Sequence, residues 1–455
     1  MMLTIDIGST WTKGTRFEPA ADTGLRVAAS FRTPTTVDDL ARGFRRCRAE
    51  LDPEGKEELH YSSSAKGGLR IAALGVVPDL TLRMAKEAAM SAGGKIASIH
   101  AYKLAPEDVR ALVDSRPDIV LFTGGTDGGN ESCVRHNLEE LRALPPEIPV
   151  IYAGNRVLRD AVRGALAGHD LRVVANVLPE LDRPEPEPAR EAIRDLFLER
   201  IVAGRGLDKI VRDTGSEPLP TPMVMLDFLK IVYESTERAA DFAVVDLGGA
   251  TTDFYSACAE RFESNVMRRG LPEPPVKRTV EGDIGMRVSA RTAFEAIRGE
   301  LARRRGDAFA DAMAPYIEAV AADPARLPAD ETERQYDLEL AAGCVTTALR
   351  RHAGSRRQVF TTNGPVMLQN GRNLRPVKFL IGSGGFLPRL SPEKLAKTLW
   401  ETPFDPENER LVPPPDCRWV ADPDSLLIMA ANAARGDAPA ATRFFLSLFN
   451  SEMPR

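Results

Sequence analysis

The chain has 455 residues and a mass of 49.7 kDa, enough for roughly two to four domain-sized cores. With 43% hydrophobic and 27% charged residues, its composition is that of an ordinary globular protein and excludes global disorder. A net charge of −5 and a pI near 5.8 give no whole-chain electrostatic footprint for nucleic acid, so no nucleic-acid partner is expected.

Residues 3–7 read as a short buried strand, which a glycine turns towards a second strand at 12–17. A strand so near the start leaves no room for a signal peptide, and no apolar run approaches the ~18 residues of a membrane span. The expectation is a soluble, cytoplasmic chain without a membrane partner. A strand at 69–74 precedes helical periodicity over 79–92, closed by Gly93 and Gly94. Strands at 119–122, 149–152 and 171–175 then alternate with helical stretches, one capped by Asn155 and stopped at Gly168. Such alternation predicts an α/β sheet domain.

The proline-rich residues 182–188 read as an irregular link to a helix at 190–202. Prolines at 218–222 precede a helical pattern through Glu237, and a strand restarts at 242–246. Arg303, Arg304 and Arg305 read as a solvated helix end. Near the C-terminus, Asp422 as N-cap, Pro423 at the first turn and Gly436 beyond the end mark a helix over 424–434, apolar nearly all round and hence buried. The five cysteines and five histidines are scattered, without metal-ligand or redox spacing, which predicts small core thiols in a reducing compartment.

One repeat is more informative than any single element. Asp6-Ile7-Gly8-Ser9-Thr10-Trp11-Thr12 recurs in form as Asp246-Leu247-Gly248-Gly249-Ala250-Thr251-Thr252. Each is an apolar strand ending in Asp-x-Gly, then small or hydroxyl residues, then a second strand; two copies half a chain apart suggest a duplicated fold. The chemistry explains the residue types. A strand-end carboxylate at Asp6 or Asp246 can hold a hydrated magnesium ion through its water. Glycines at Gly8, Gly248 and Gly249, with the small Ala250, let backbone amides approach phosphate oxygens. Ser9, Thr10, Thr12, Thr251 and Thr252 add hydroxyls, and Lys13 brings a point charge towards a transferring phosphate.

A third element, Gly382-Ser383-Gly384-Gly385, ends a strand at 379–381 and suits close packing of backbone against a base and ribose. Between the second and third elements, Asp283 and Gly285 open a helix in Glu281-Gly282-Asp283-Ile284-Gly285; Asp283 is read either as bordering a nucleotide or as a helix cap.

In this order the elements resemble the phosphate-1, phosphate-2 and adenosine motifs of the sugar kinase, chaperone and actin superfamily. The resemblance narrows. TIDIGSTWTKGT, SSSAKGGLRIAALG (62–75), VLFTGGTDGGN (120–130), AVVDLGGATTDF, TVEGDIGMR, NGPVMLQNGRNL (363–374) and FLIGSGG are similar to the glutamate mutase accessory family called MutL or GlmL. That family is unrelated to the mismatch-repair protein of the same name. The resemblance implies an α/β, actin-like ATPase fold of two duplicated ribonuclease-H-like lobes with a nucleotide cleft between them. Residues 1–240 would form the first lobe, 241–395 the second and 396–455 a segment with the closing helix. It further implies ATP and magnesium as cofactors, and a reactivating chaperone that releases damaged cobalamin from an adenosylcobalamin-dependent glutamate mutase or aminomutase. The mutase subunits would be the protein partner.

Ala250 stands where heat-shock chaperones have a third glycine, and the length after the adenosine motif leaves no room for their lid domain. Asp6, Asp246, Lys13 and Asp253 are the candidate catalytic residues. A small-molecule kinase would need an aspartate base, for which Asp127 and Asp253 are available. A hydantoinase-like ATP-dependent amidohydrolase is a further alternative. The role of the turn Asp127-Gly128-Gly129-Asn130 stays open between ligand contact and structure.

Overall fold

A computed structural model describes residues 1–36, 38–65, 69–202, 206–236, 241–262, 265–362, 364–401 and 410–449. Lys66, Gly67, Gly68, Glu237 and Asn363, which fall within sequence features noted above, lie outside the described residues. In chain order the strands are β1 (Met2–Ile7), β2 (Trp11–Ala20), β3 (Gly24–Pro34), β4 (Glu58–Ser63), β5 (Arg70–Gly75), β6 (Lys95–Ala101), β7 (Ile119–Phe122), β8 (Val150–Tyr152) and β9 (Leu171–Val173). The two-residue β10 (Leu219–Pro220) precedes the helix Thr221–Ser235. The later strands are β11 (Phe242–Leu247), β12 (Thr252–Ala257), β13 (Val266–Arg269), β14 (Val276–Glu281), β15 (Ser355–Thr361), β16 (Gly364–Asn370), β17 (Phe379–Gly384) and β18 (Arg418–Ala421).

The chain divides into two compact units, one of residues 1–36, 42–65 and 224–455, the other of 37–41 and 66–223. These boundaries differ from the expected ones at 240 and 395. Residues 66–223 condense around a sheet of their own, so the strands read as one first lobe separate into two cores.

The larger unit holds the duplication. β1 pairs antiparallel with β2, β2 antiparallel with β3, and β1 parallel with β4. The second sheet repeats this: β11 pairs antiparallel with β12, β12 antiparallel with β14, and β11 parallel with β17. The central strands explain why. Every residue of β1 is buried, as is nearly all of β11, which suits strands covered on both faces. Two sheets of matching order, each opening on an Asp-x-Gly hairpin, make this the actin-like ATPase fold of two duplicated lobes. The small sheet β13-β16-β15 is an addition to the second lobe's sequence.

After β18 the chain returns to the first sheet. The helix Leu426–Ala433 packs on β1, with Thr4 Oγ1 donating to Met429 Sδ at 3.4 Å. The helix Ala438–Phe449 packs on β3, and its Phe445 meets both Phe228 and Phe242 at ring distances of 5.8 and 6.0 Å. One departure from expectation concerns the start of this region. Residues Pro423–Ser425 form a short 3-10 segment in which Asp424 and Ser425 have φ of 52° and 60°. Asp422 still caps, but across that kink: its Oδ1 accepts from the Leu427 amide at 3.0 Å. The helix Glu187–Val202 likewise begins inside the stretch read as irregular, because proline is tolerated in a first helical turn.

The smaller unit is a parallel sheet in the order β6-β5-β7-β8-β9. Its βα alternation was legible, and the Thr123–Asn130 region follows β7 at the carboxyl edge. Asp127 Oδ1 accepts from the Arg156 amide at 2.9 Å and from Asn176 Nδ2 at 3.0 Å. Asn155 Oδ1 accepts from Gly128 N at 3.0 Å. The turn is therefore cross-tied to the segments after β8 and β9. All five cysteines are buried and unpaired. Among the described residues no helix is long and apolar enough to cross a membrane.

Candidate functional site

The two hairpins share more than a sequence phrase. Gly8 N donates to Trp11 O at 3.0 Å, and Gly248 N donates to Thr251 O at 2.9 Å, so both turns close alike. Across the first sheet, register aligns Ser62, Asp6, Lys13 and Arg32 in one row. Across the second, it aligns Ser383, Asp246 and Asp253. Opposed residues share a face of the sheet, so Lys13 stands to Asp6 as Asp253 stands to Asp246. The two turns also meet. A β-carbon on Gly249 would lie 3.8 Å from Thr10 Oγ1, which sets the two Asp-x-Gly turns against each other.

Backbone geometry aims the second turn. The carbonyls of Gly248 and Gly249 accept from the amides of Met286 and Arg287 at 3.1 and 2.8 Å, and that of Ala250 accepts from Ser289 Oγ at 2.7 Å. In a planar trans peptide the N–H opposes the C=O. The amides of Gly249, Ala250 and Thr251 therefore point the other way together, the arrangement of an anion nest. Gly285 is required for this packing, since a β-carbon there would lie 2.7 Å from the Ala250 carbonyl carbon. The segment is anchored by Arg287, whose buried guanidinium makes two bonds to Asp337 at 3.0 and 2.8 Å and lies 4.7 Å from the Phe386 ring centroid. Tyr316 donates to the same carboxylate at 2.9 Å.

Other expected residues are spent inside the protein. The Thr12 hydroxyl bonds Thr35 at 3.1 Å and the Thr252 hydroxyl donates to Ile284 O at 3.0 Å, both in buried positions. Asp283 pairs with Arg351 at 2.7 and 2.9 Å, which holds its carboxyl below the usual range; the following helix starts instead at Ala290, after Ser289. Asp253 accepts from the buried Arg278 at 2.7 Å, so its carboxylate is already answered inside the protein. In the third element, Gly382 makes room for the Trp419 ring and Ser383 donates to Asp422 at 2.6 Å, whereas Gly384 and Gly385 face a cavity of about 530 Å3. Lys13 lines that cavity too and donates to Ser425 at 2.9 Å. Ser9 remains exposed at its turn.

The sequence did not single out Ser62, Asn432, Asp422 or Ser425 for the site. Ser62 donates to Asp6 Oδ1 at 3.0 Å and accepts from Asn432 Nδ2 at 2.8 Å. Asp422, fully buried, is pushed up to about 6 by burial, against the Ser383 and Leu427 hydrogen bonds. Asp246 is partly open at the protein surface yet deep in the fold; burial, then Asp253, push it up to about 7, with Asp6 and Asp422 adding to the rise and Lys13 opposing it. The carboxylates of Asp253, Asp6 and Asp422 act on Asp246 against Lys13, and with Asp253 answered by Arg278 the other three leave an acidic focus that calls for a proton or a cation. The donors are hard oxygens and few, which fits magnesium that keeps most of its water.

The sign of the pH dependence follows. An aspartate has a pKa near 3.9 when unfolded, so between about pH 4 and the folded values of about 6 and 7 the folded chain binds more protons. Stability from these two groups is present below about pH 4 and is lost as pH rises through about 7. A cation held at this focus would take the place of the proton. Thermal melts should therefore show magnesium raising the Tm of the metal-free protein more at about pH 8 than at about pH 5.5. An equal rise at both, or the same response in Asp246→Asn, would contradict this.

A family model, MutL protein, matches residues 2–448. This chain belongs to the MutL family. Protein MutL of Clostridium tetanomorphum is 37% identical over 399 residues, covering 85% of this chain and 86% of the relative. Among solved structures, nucleotide-free acetone carboxylase aligns with 88% of this chain and 67% of its own at 12% identity and a TM-score of 0.36. The ethanolamine utilization protein EutJ of Carboxydothermus hydrogenoformans aligns with 98% of this chain and 89% of its own at 9% identity and a TM-score of 0.27. Likeness so slight says nothing of what the MutL chain binds.

Proposed function

We propose that this MutL protein binds ATP with magnesium between its two Asp-x-Gly hairpins, hydrolyses it slowly, and uses the cycle to reactivate an adenosylcobalamin-dependent glutamate mutase or aminomutase. The observation that supports nucleotide binding is the opposition of the two turns, with Thr10 Oγ1 3.8 Å from the β-carbon position of Gly249. Asp6 and Asp246 would hold the magnesium ion through water, and the amides of Gly249, Ala250 and Thr251 would cradle phosphate oxygens. Bound magnesium would supply charge neutralisation at the transferring phosphate. Lys13 adds a fixed positive charge from the first hairpin. Gly384 and Gly385 offer bare backbone to the nucleoside.

Family membership supports the accessory role. Each lobe carries one phosphate turn, so only a triphosphate reaches both fully, and nucleotide state would bias the angle between the lobes. If the mutase partner distinguishes the two states a hundredfold, the coupling amounts to about 2.7 kcal/mol, a small part of the free energy of ATP hydrolysis.

The test is a reactivation assay. A mutase inactivated with hydroxocobalamin is mixed with the protein, ATP, magnesium and adenosylcobalamin, and mutase turnover is followed. Recovery should need ATP and vanish with Asp246→Ala. Equal recovery without nucleotide, or phosphorylation of a small metabolite instead, would remove the reactivase reading.

A further inference from the structure

The register of β2 and β3 sets Lys13 directly opposite Arg32, two like charges side by side on one face of the first sheet. Such a pair is unfavourable unless something answers it. A third cation, Arg389, follows β17 in the other sheet and lines the same cavity of about 530 Å3. That volume is within the usual range of small-molecule sites. Asp424 is the one acidic residue among the described lining residues. Lys13 gives one bond to Ser425, but neither Arg32 nor Arg389 has a side-chain hydrogen bond or ion pair among the described residues. Arg32 lies instead 5.8 Å from the Trp11 ring centroid, another lining side chain.

Two further features mark the cavity as built. Asp424 and Ser425, at its lip, are consecutive non-glycine residues in the left-handed region, at φ of 52° and 60°. Backbone of that kind persists only where its surroundings enforce it, and it gathers at ligand clamps. Partial burial of this otherwise exposed side chain, and then the charge of Arg32, hold the Arg389 guanidinium below its usual range, so the two arginines sense each other.

We propose that this cavity is a phosphate site in which Arg32 and Arg389 close on one phosphate group beside Lys13. Guanidinium groups suit that chemistry, since their paired donors match phosphate oxygens. Arg32 lies in β3 of the first sheet, whereas Arg389 ends the short 3-10 segment after β17 of the second. Without an anion they repel and hold β3 away from the segment after β17; with one between them they are bridged. The phosphate can belong to the bound nucleotide, in which case the inference rests on the nucleotide reading above, or it can be free inorganic phosphate, in which case it does not.

Isothermal titration calorimetry of the full chain with inorganic phosphate, ADP and ATP separates these sources. Arg32→Gln and Arg389→Gln change exposed side chains, and their melts should match wild type. Each should weaken affinity about tenfold or more. A loss for ADP and ATP assigns the site to the nucleotide; a loss for inorganic phosphate alone assigns it to the free anion. Arg26→Gln, on the same strand outside the cavity, should bind as wild type. The proposal is overturned if both cavity variants bind all three probes as wild type does, or if the wild-type chain binds none of them. Failure of mutase reactivation alongside an arginine-dependent phosphate affinity would sink the functional reading and leave this site standing.

Discussion

Asp246→Ala should lower magnesium-dependent ATP hydrolysis by about a hundredfold or more while leaving the fold intact, because in the proposed site the carboxylate would serve the metal while it opposes the protein around it. Asp246 stands in register with Asp253 and Ser383, and the β-carbon position of Gly384 is only 2.6 Å from its Oδ1. Burial and the carboxylates of Asp253, Asp6 and Asp422 disfavour its charge. Deleting it relieves that repulsion, so the variant should melt no lower than wild type at about pH 8 without magnesium. Asp6→Ala should lose hydrolysis to a similar degree, though it also leaves Ser62, which accepts from Asn432, without its carboxylate acceptor. Circular dichroism melts with a coupled turnover assay check both. Wild-type-like turnover in the two variants would remove the hairpins from the chemistry, and a collapse of stability in Asp246→Ala would show the carboxylate to be structural.

The parts of this site that the sequence discloses are those written locally. A buried strand, a carboxylate at its end and a glycine turn occupy eight consecutive residues, and the second copy repeats them. Lys13 and Asp253 were legible as well, each seven positions beyond its aspartate and still on the same hairpin. The supports of those residues come from far along the chain. Ser62, Asn432 and Asp422 have no local pattern that ties them to Asp6 or Ser383, and the Arg287–Asp337 pair spans a separation that includes two helices. Arg32 shows the same limit. Its place beside Lys13 depends on the register of β2 and β3, including the irregularity between Arg16 and Phe17. The division into compact units is not written locally for a related reason: βα alternation predicts a parallel sheet but does not say whether its strands join an existing sheet or found a new one. Thr12 and Thr252 illustrate the converse, hydroxyls of the right type whose sheet positions turn them into the protein.

The glycines at the end of β17 and just beyond it, Gly384 and Gly385, carry the other large expected effect, and they should respond differently. Gly384 has φ of 94°, and a β-carbon there would lie 2.4 Å from Leu247 O as well as against Asp246. Gly384→Val must therefore move the end of β11, and it should lower both stability and binding of ADP and ATP. Its result alone cannot tell a ligand contact from a displaced Asp246. Gly385 has nothing within 4 Å of its β-carbon position and lines the cavity. Gly385→Val adds its branched side chain to open space, so the melt should stay near that of wild type, within the small change usual for surface substitutions. If backbone at this turn meets the nucleoside, the same side chain intrudes on a part common to both nucleotides, and affinity for ADP and ATP should fall together, by about tenfold to a hundredfold. Calorimetry on the two variants reads this directly. A Gly385→Val protein that melts normally and binds both nucleotides as wild type would place the nucleoside elsewhere, and would reassign the turn to packing alone.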